Sequence, residues 1–566
     1  MSTNKPIVSI QQTIREIVSE LFPKVSLPSI VLVRSERAEH GDYACNIAMI
    51  VAKLVDQPAP QVAKAIQEKF TSDEHRLEIL ERVEVVGGFL NFFLHHYYYL
   101  DVLSEILEQG KEYGHSDEDL PPTVLEFGQP NTHKMPHVGH LYSYIYGESC
   151  ARLRQSVGTE VKRVNYQGDI GLHVAKCLWA YKRSDKPLPP SLAERVAWLQ
   201  QCYQDGSAAY DADTDAKVAI DEINAKIYDQ NPEIISLWQE TRQWSLDYYQ
   251  QFETDLGITY DNHYVESETS TAGATLVQAA VGSVFQASEG AIIFPGEKYG
   301  LHTRVFINQK GYPTYEAKDI GLAARKKDDY PDYNYVVMTA NEQNDYWRVI
   351  IKVVDLLMPQ MAGRTKHLGF GLIELPSGKI SSRTGNLITA FDLVSSVEKK
   401  VEELLRRQRP DYTADDRRQI ARVVGHGAIK YAFLKKAAAK NMTFDLEASI
   451  SLEGNSGPYI QYAYTRCRSL QQKAGEQTAQ VPRGAVNWQD EELALARHLS
   501  AFTQVVSGAA RDYAPHDLCT YLYQTAQKFS QLYDKHKIIT DDQQITGFRL
   551  ALTAATSHVL KNGLEL

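Results

Sequence analysis

Residues 124–141, VLEFGQPNTHKMPHVGHL, constrain this chain more than any other stretch. Val124 to Phe127 read as a short buried strand, and Gly128-Gln129-Pro130-Asn131 breaks it. From about His137 the apolar spacing Val138, Leu141, Ile145, Leu153 announces a helix. Strand, loop and helix in that order belong to an open α/β sheet, whose ligands bind in the crevice at the carboxyl ends of the strands. The helix start offers free N–H groups and a positive dipole end to a phosphate. His137 and His140, three apart, project from the same side of the first turn, with Gly139 between them. Two imidazoles there can donate hydrogen bonds to a triphosphate, and the glycine lets a nucleotide ring approach the backbone. Taken alone, the same residues also fit a solvated helix start. They fit metal ligation by His133, His137 and His140 less well, because no cysteine or acidic partner falls at the usual spacing.

Length and composition narrow the class. At 566 residues, with 43% hydrophobic and 23% charged residues, the chain has the size of three or four ordinary globular domains. Six cysteines are scattered without a CxxC pair, which argues against a disulfide framework and a structural zinc site, so no metal ligand set is expected. No apolar run reaches membrane-spanning length and the first residues lack a signal-peptide layout, so the expectation is a cytoplasmic protein with no membrane partner. A net charge of -11 is unfavourable for a nucleic-acid partner, but local patches decide such binding. Basic clusters occur at Lys399 to Arg409 and Lys430 to Lys440.

The stretch Glu126-Phe127, Pro130-Asn131, Lys134 and His137-Val138-Gly139-His140-Leu141 resembles the first signature of class I aminoacyl-tRNA synthetases, in the form found in arginyl-tRNA synthetases. The resemblance continues along most of the chain. It implies a Rossmann-type doubly wound catalytic domain, residues 114–410, with an insertion at about 172–290. An N-terminal α/β additional domain (1–113) and a C-terminal all-α bundle that binds the anticodon (411–566) flank it.

In the first module Ile10, Ile14, Ile17, Val18 and Leu21 make one helix face, Ile30 to Val33 a strand, and Val83 to Leu94 two strands about Gly87-Gly88. His40-Gly41-Asp42-Tyr43-Ala44 and Gly88-Phe89-Leu90-Asn91-Phe92 are similar to the family's additional domain, which contacts the tRNA elbow. A purely structural appendage fits the same residues. Glu160 to Asn165 reads as a second sheet strand, followed by Gly168-Asp169-Ile170-Gly171, similar to a family segment. Residues from about 172 to 260 read as Tyr- and Trp-rich helices in which no chemistry is legible.

Tyr315 and Asp319 are four apart, hence on one helix face, and Gln343 sits in the turn after the apolar run Tyr335 to Met338. By resemblance Asp319, Tyr315 and Glu126 hold the guanidinium of arginine, and Asn131 and Gln343 its α-amino and carboxylate ends. Gly378 and Gly385 bracket a hydroxyl-rich loop that is similar to the second class I signature, with Lys379 and Ser381 retained. Ser382 stands where that signature has a second lysine. ATP contacts then fall to His137, Gly139, His140, Lys379 and Ser381, and the catalytic set is Lys134, His137, His140 and Lys379. Lys134 read alone also fits a solvated loop lysine.

From about 411 the pattern reads as wholly helical. The run Glu453 to Tyr459 with Gln461, Tyr462 and Arg466 resembles the family's approach to the anticodon domain, and Tyr462 and Arg466 offer a stacking face and a charge to splayed bases. Core aromatics with surface arginines fit those positions as well. The implied activity is arginine–tRNA ligation by a monomer, with ATP as substrate, Mg²⁺ accompanying the nucleotide, and tRNA(Arg) and L-arginine as partners. Resemblance further implies that activation of the amino acid waits for tRNA.

Overall fold

The computed structural model describes residues 5–35, 37–72, 74–375, 378–379, 389–484 and 486–566. It divides into two compact units, Met1–His115 with Ile460–Ser507 and Tyr521–Glu565, and Ser116–Tyr459 with Gly508–Thr520 and Leu566.

A five-stranded parallel sheet organises the second unit: β1 (Thr123–Glu126), β2 (Val161–Gln167), β3 (Asn262–Val265), β4 (Asn334–Ala340) and β5 (Thr365–Phe370). Its order is β5-β4-β1-β2-β3, so the chain winds outward one way from β1 and then returns to build the other half from β4. The reversal between β1 and β4 opens a crevice at their carboxyl ends, where a doubly wound sheet binds its ligands. Side-chain alternation serves both faces. Leu125, Val336, Met338 and Phe370 pack with helix α1 (Val138–Ser156) and the helices Ala390–Gln408 and Ala414–Leu434. Val124, Val164, Tyr335 and Val337 pack on the other face with helices α2 (Glu266–Ala279), α3 (Tyr315–Asp329) and α4 (Asn344–Leu357). All four β1 residues are buried, as its apolar run requires at the centre of such a sheet.

Helices α2 and α3 cross at two glycines. A Cβ on Gly273 would lie 1.9 Å from the Ala317 carbonyl oxygen, and one on Gly321 2.1 Å from that of Thr269. Only glycine permits this approach, and it brings Glu266 of α2 against Lys318 of α3.

Four helices, Leu172–Tyr181, Leu192–Ala212, Thr214–Tyr228 and Pro232–Leu256, lie between β2 and β3 and bury their own apolar clusters. The insertion expected over about 172–290 therefore ends as a helical module at Leu256, because Asn262–Val265 joins the sheet and α2 packs on it. A second correction concerns the segment after 411, which is not wholly helical. Met442–Thr443 pairs in parallel with Ile373–Glu374, whose other edge pairs antiparallel with Gly378–Lys379. An edge of sheet already present at Ile373 overrides the local pattern there.

In the first unit an antiparallel sheet runs Val33–Arg34, Tyr43–Cys45, Phe89–Leu94, Leu80–Val86. The expected Ile30–Val33 strand shrinks to Val33–Arg34, with Val31 and Val33 more than half exposed and, among the described residues, no partner edge for residues 30–32. Buried Asp42 accepts from the Leu94 N–H at 2.8 Å and from the Tyr99 hydroxyl, and pairs with Arg497 Nε at 2.6 Å. This ion pair joins the N-terminal sheet to helix Asp490–Leu499, which explains why an acid beside Gly41 is buried.

Candidate active site

His137 is the N-cap of α1, with extended backbone (φ -96°, ψ 174°). Its Nδ1 accepts the Gly139 N–H at 3.1 Å, and its own N–H donates to His140 Nδ1 at 3.1 Å, a capping box in which imidazoles stand where hydroxyls and carboxylates usually do. The backbone N–H of Gly139 is thus taken up inside the motif and is not among the free N–H groups expected at this helix start. The two rings lie with centroids 3.8 Å apart and their planes tilted by 33°. Burial, with the Lys134 charge second, holds His137 down at about 4. Burial, His137 and Lys134 hold His140 well below the usual range. Both rings are neutral at pH 7, and because each Nδ1 accepts, each proton sits on Nε2.

The crevice between β1 and β4 holds three carboxylates. Glu126, at the end of β1, is 1% exposed; it pairs with buried Lys326 of α3 and accepts from Gln129 Nε2 at 2.8 Å. Glu266 pairs with Lys318 Nζ at 2.7 Å, both buried. Asp319, on the same helix as both lysines, accepts the Tyr346 hydroxyl, and no cation pairs with it within 4.0 Å among the described residues. Two of the three carboxyls are paired with lysines and Asp319 is not. Tyr315 is 57% exposed and flanks Lys318, whose ammonium lies 5.1 Å from its ring centre. Asn131 joins the group through its parallel bridge to Gly168, whose missing Cβ would sit 2.1 Å from Asn131 Oδ1 and 3.4 Å from Glu266 Oε1. Gln343 is exposed in the turn Asn341–Gln343 at the carboxyl end of β4.

Lys318, Lys326, Glu266 and Tyr346 were not singled out from the sequence. Lys326 had a signal, since it lies seven residues after Asp319 and so on the same helix face. The others meet the pocket only through packing.

Burial pushes the Asp319 carboxyl up to about 8, with Glu126 and Glu266 adding to the rise against the Tyr346 hydrogen bond. A cation that binds Asp319 requires its ionised form, so binding must expel the proton this group holds at neutral pH. The expected result is a KM for a cationic substrate that falls as pH rises from about 6, by up to about tenfold per unit, and levels off above about 8. Steady-state KM across that range checks it, and a flat profile for the wild type would contradict it.

The loop between β1 and α1 is gripped by the helical insertion. The Tyr249 hydroxyl donates to Asn131 O at 2.6 Å and to Lys134 O at 2.7 Å, and Gln200 Oε1 accepts the Met135 N–H at 3.0 Å. His133, fully buried, has Nδ1 3.0 Å from Thr132 Oγ1 and Nε2 2.8 Å from Thr241 Oγ1, so both its ring nitrogens are engaged away from the other two histidines. Fully buried Asp169 ties the next strand end to the insertion through Arg242 at 2.6 Å and caps α2 at the Ser267 N–H. Lys379 is placed by its backbone in a short hairpin opposite Glu374. Ser381, Ser382 and Gly385 lie outside the described residues. The chain returns at Thr389, which bridges to His137, while the Ala390 N–H donates to Pro136 O at 2.8 Å. Of the two basic clusters, Lys430 and Lys435 donate to the Leu256 and Asn455 carbonyls at 3.0 and 2.8 Å.

Known proteins share this architecture. A family model described as tRNA synthetases class I (R), catalytic domain, matches residues 102–446, and one described as arginyl tRNA synthetase N terminal domain matches residues 8–94. Over 553 residues the chain is 30% identical to an arginine–tRNA ligase of Bdellovibrio bacteriovorus, covering 94% of this chain and 92% of that protein. The chain belongs to the arginyl-tRNA synthetase family. An arginine–tRNA ligase of Porphyromonas gingivalis is 28% identical over 97% of this chain and 96% of its own. In fold, the arginyl-tRNA synthetase of Thermus thermophilus matches with a TM-score of 0.79 at 22% identity over 98% of each chain. That of Plasmodium falciparum matches with a TM-score of 0.76 at 19% identity, over 98% of this chain and 96% of its own.

A third family model, DALR anticodon binding domain, matches residues 460–566 of this synthetase. There the Arg466 guanidinium lies between two rings, 4.7 Å from Tyr462 and 4.8 Å from Tyr533, and donates to the Tyr462 hydroxyl at 2.9 Å. Tyr462 and Tyr533 are 45% and 39% exposed. Tyr533 reads from the sequence only as an apolar position, and its place in this stack is a tertiary fact.

Proposed function

We propose that the chain activates L-arginine with ATP to arginyl-adenylate, releasing diphosphate, and transfers arginine to the 3′ end of tRNA(Arg). The observation that carries the arginine reading is the Asp319 carboxyl, which has no cation partner among the described residues, in a crevice whose other two acids already hold lysines. One carboxyl without a lysine, ionised as the cation binds and with a phenol at its edge, matches one guanidinium. Asn131 and Gln343, at the ends of the same strands, suit the α-amino and carboxylate groups of the amino acid.

In this reading the arginine carboxylate attacks the α-phosphate of ATP in line and diphosphate leaves. His137 and His140 donate through Nε2 to the phosphate oxygens, and Lys134 and Lys379 offset the growing negative charge; Ser381 belongs to the same loop by sequence. Mg²⁺ enters with the nucleotide. Catalysis is then positioning and electrostatics with no general base. Tyr462, Arg466 and Tyr533 stack against bases of the anticodon loop. Because tRNA charging serves the ribosome, the expected location is the cytoplasm, and we expect a monomer; among the described residues no helix is long and apolar enough to cross a membrane.

Aminoacylation of bulk tRNA with each amino acid in turn tests the reading. Charging with arginine alone is expected, together with arginine-dependent ATP–diphosphate exchange only when tRNA is present, since docking would supply the energy that closes the site. Charging with a different amino acid would overturn the specificity. Strong exchange without tRNA would overturn the order of events.

A further inference from the structure

The helical insertion does more than fill space beside the sheet. Five of its residues meet the loop that leads into α1: Thr241, Ser245 and Tyr249 from helix Pro232–Leu256, and Gln200 and Tyr203 from helix Leu192–Ala212. Four of these contacts are hydrogen bonds that fix backbone or the buried His133 ring. The fifth is different, because it holds a functional group: Lys134 Nζ lies 4.0 Å from the centre of the Tyr203 ring.

A lysine meant to act on a phosphate needs a partner that keeps its long side chain in place without cancelling its charge. A carboxylate would do the first and fail the second. The face of an aromatic ring does both, since its quadrupole attracts the cation while the full positive charge stays available. Among the described residues no carboxylate pairs with Lys134. After burial, its charge helps hold His137 and His140 below the usual histidine range, as it does the buried His173 ring. Burial pushes the Tyr203 phenol up, but the charge and hydrogen bonding of Lys134, with Ser207 and the Lys176 charge adding to them, bring it below the ordinary tyrosine range.

We propose that Tyr203 is a positioning residue for adenylate formation: its ring face, supplied by the insertion, holds the Lys134 ammonium beside the His137–His140 pair, where the phosphates of ATP then capture it. This rests on the reading of Lys134 as a phosphate-binding group given above. Tyr203 touches neither nucleotide nor amino acid, and acts through Lys134.

The test is a double-mutant cycle in tRNA-dependent ATP–diphosphate exchange, using the full chain with Tyr203→Leu, Tyr203→Phe, Lys134→Ala and the two double variants. Tyr203→Leu is expected to lower kcat by roughly tenfold, the scale of one lost cation–π contact, with the KM values for ATP and arginine nearly unchanged. Tyr203→Phe keeps the ring face and is expected to stay near the wild-type rate. In the Lys134→Ala background neither change at 203 should lower the rate further, because the group that Tyr203 positions is gone. A Tyr203→Leu rate close to wild type, alongside an impaired Lys134→Ala, overturns the inference while leaving Lys134 in its role. So does a Tyr203→Phe loss as large as that of Tyr203→Leu, or a Tyr203→Leu effect that persists undiminished without Lys134, which is what a merely structural tyrosine gives. A normal rate in Lys134→Ala alone overturns the underlying reading and this inference with it.

Discussion

Asp319→Asn is expected to cost about 2 to 4 kcal/mol in kcat/KM for arginine while the KM for ATP barely moves. The size follows from the charge count of the crevice. Glu126 and Glu266 are already committed to Lys326 and Lys318, so asparagine at 319 leaves a desolvated guanidinium facing a pocket with no net counter-charge. The Tyr346 hydroxyl keeps a hydrogen-bond acceptor in the amide oxygen, so the fold around α3 should tolerate the change. The same variant should lose the pH dependence of the arginine KM, because the group that titrates near 8 has been removed. Steady-state kinetics with arginine and ATP varied separately measure both effects. An unchanged kcat/KM for arginine would take Asp319 out of the pocket.

Lys134→Ala should lower kcat for adenylate formation by roughly 10²-fold or more, the scale for losing one contact made in the transition state. The loop around Lys379 has serine at 382 where the second class I signature carries a lysine, so a cation must come from elsewhere as charge grows on the leaving diphosphate. Lys134 stands three residues before the N-cap of α1, on a loop whose backbone Tyr249 and Gln200 hold in place. Both neutral histidines contribute dipoles, not charge, which raises the demand on the lysine. The KM values for ATP and arginine should change little. Adding Ser382→Lys to the Lys134→Ala variant should recover part of the loss. Near-wild-type turnover in Lys134→Ala would sink the assignment.

Reading the chain as residues in order reached the site unevenly. The β1–α1 unit, the Tyr315/Asp319 face and the turn carrying Gln343 were legible because strand and helix periods are local and survive packing. The extent of the insertion was less legible. An isolated Asn262–Val265 run is too short to tell from a helix-to-helix loop, and only pairing with β2 makes it a strand. Met442–Thr443 became a strand for the same reason, by meeting an edge already laid down at Ile373. The role of His133 was ambiguous in the string His133, His137, His140, and was decided by two threonines, one of them 108 residues away.

What the sequence determined by itself was therefore the set of elements and the chemistry carried on their ends: a strand–loop–helix with two histidines, a helix with a phenol and an acid on one face, and a second half-sheet. These depend on interactions within a few residues, where spacing alone says which side chains share a face. What only the tertiary structure decided was charge state and partnership. Lys326 meets Glu126 across 200 residues and Lys318 meets Glu266 across 52, and these two pairings leave Asp319 as the carboxyl of the crevice without a lysine. The insertion's grip on residues 131–135, the Lys134–Tyr203 contact and the return of residues 508–520 to the second unit, where the Tyr146 hydroxyl donates to Tyr513 O at 3.0 Å, are of the same kind. No local period encodes them, because a desolvated charge takes whichever partner the packing brings within a few ångströms, and that distance exists only once the chain has folded.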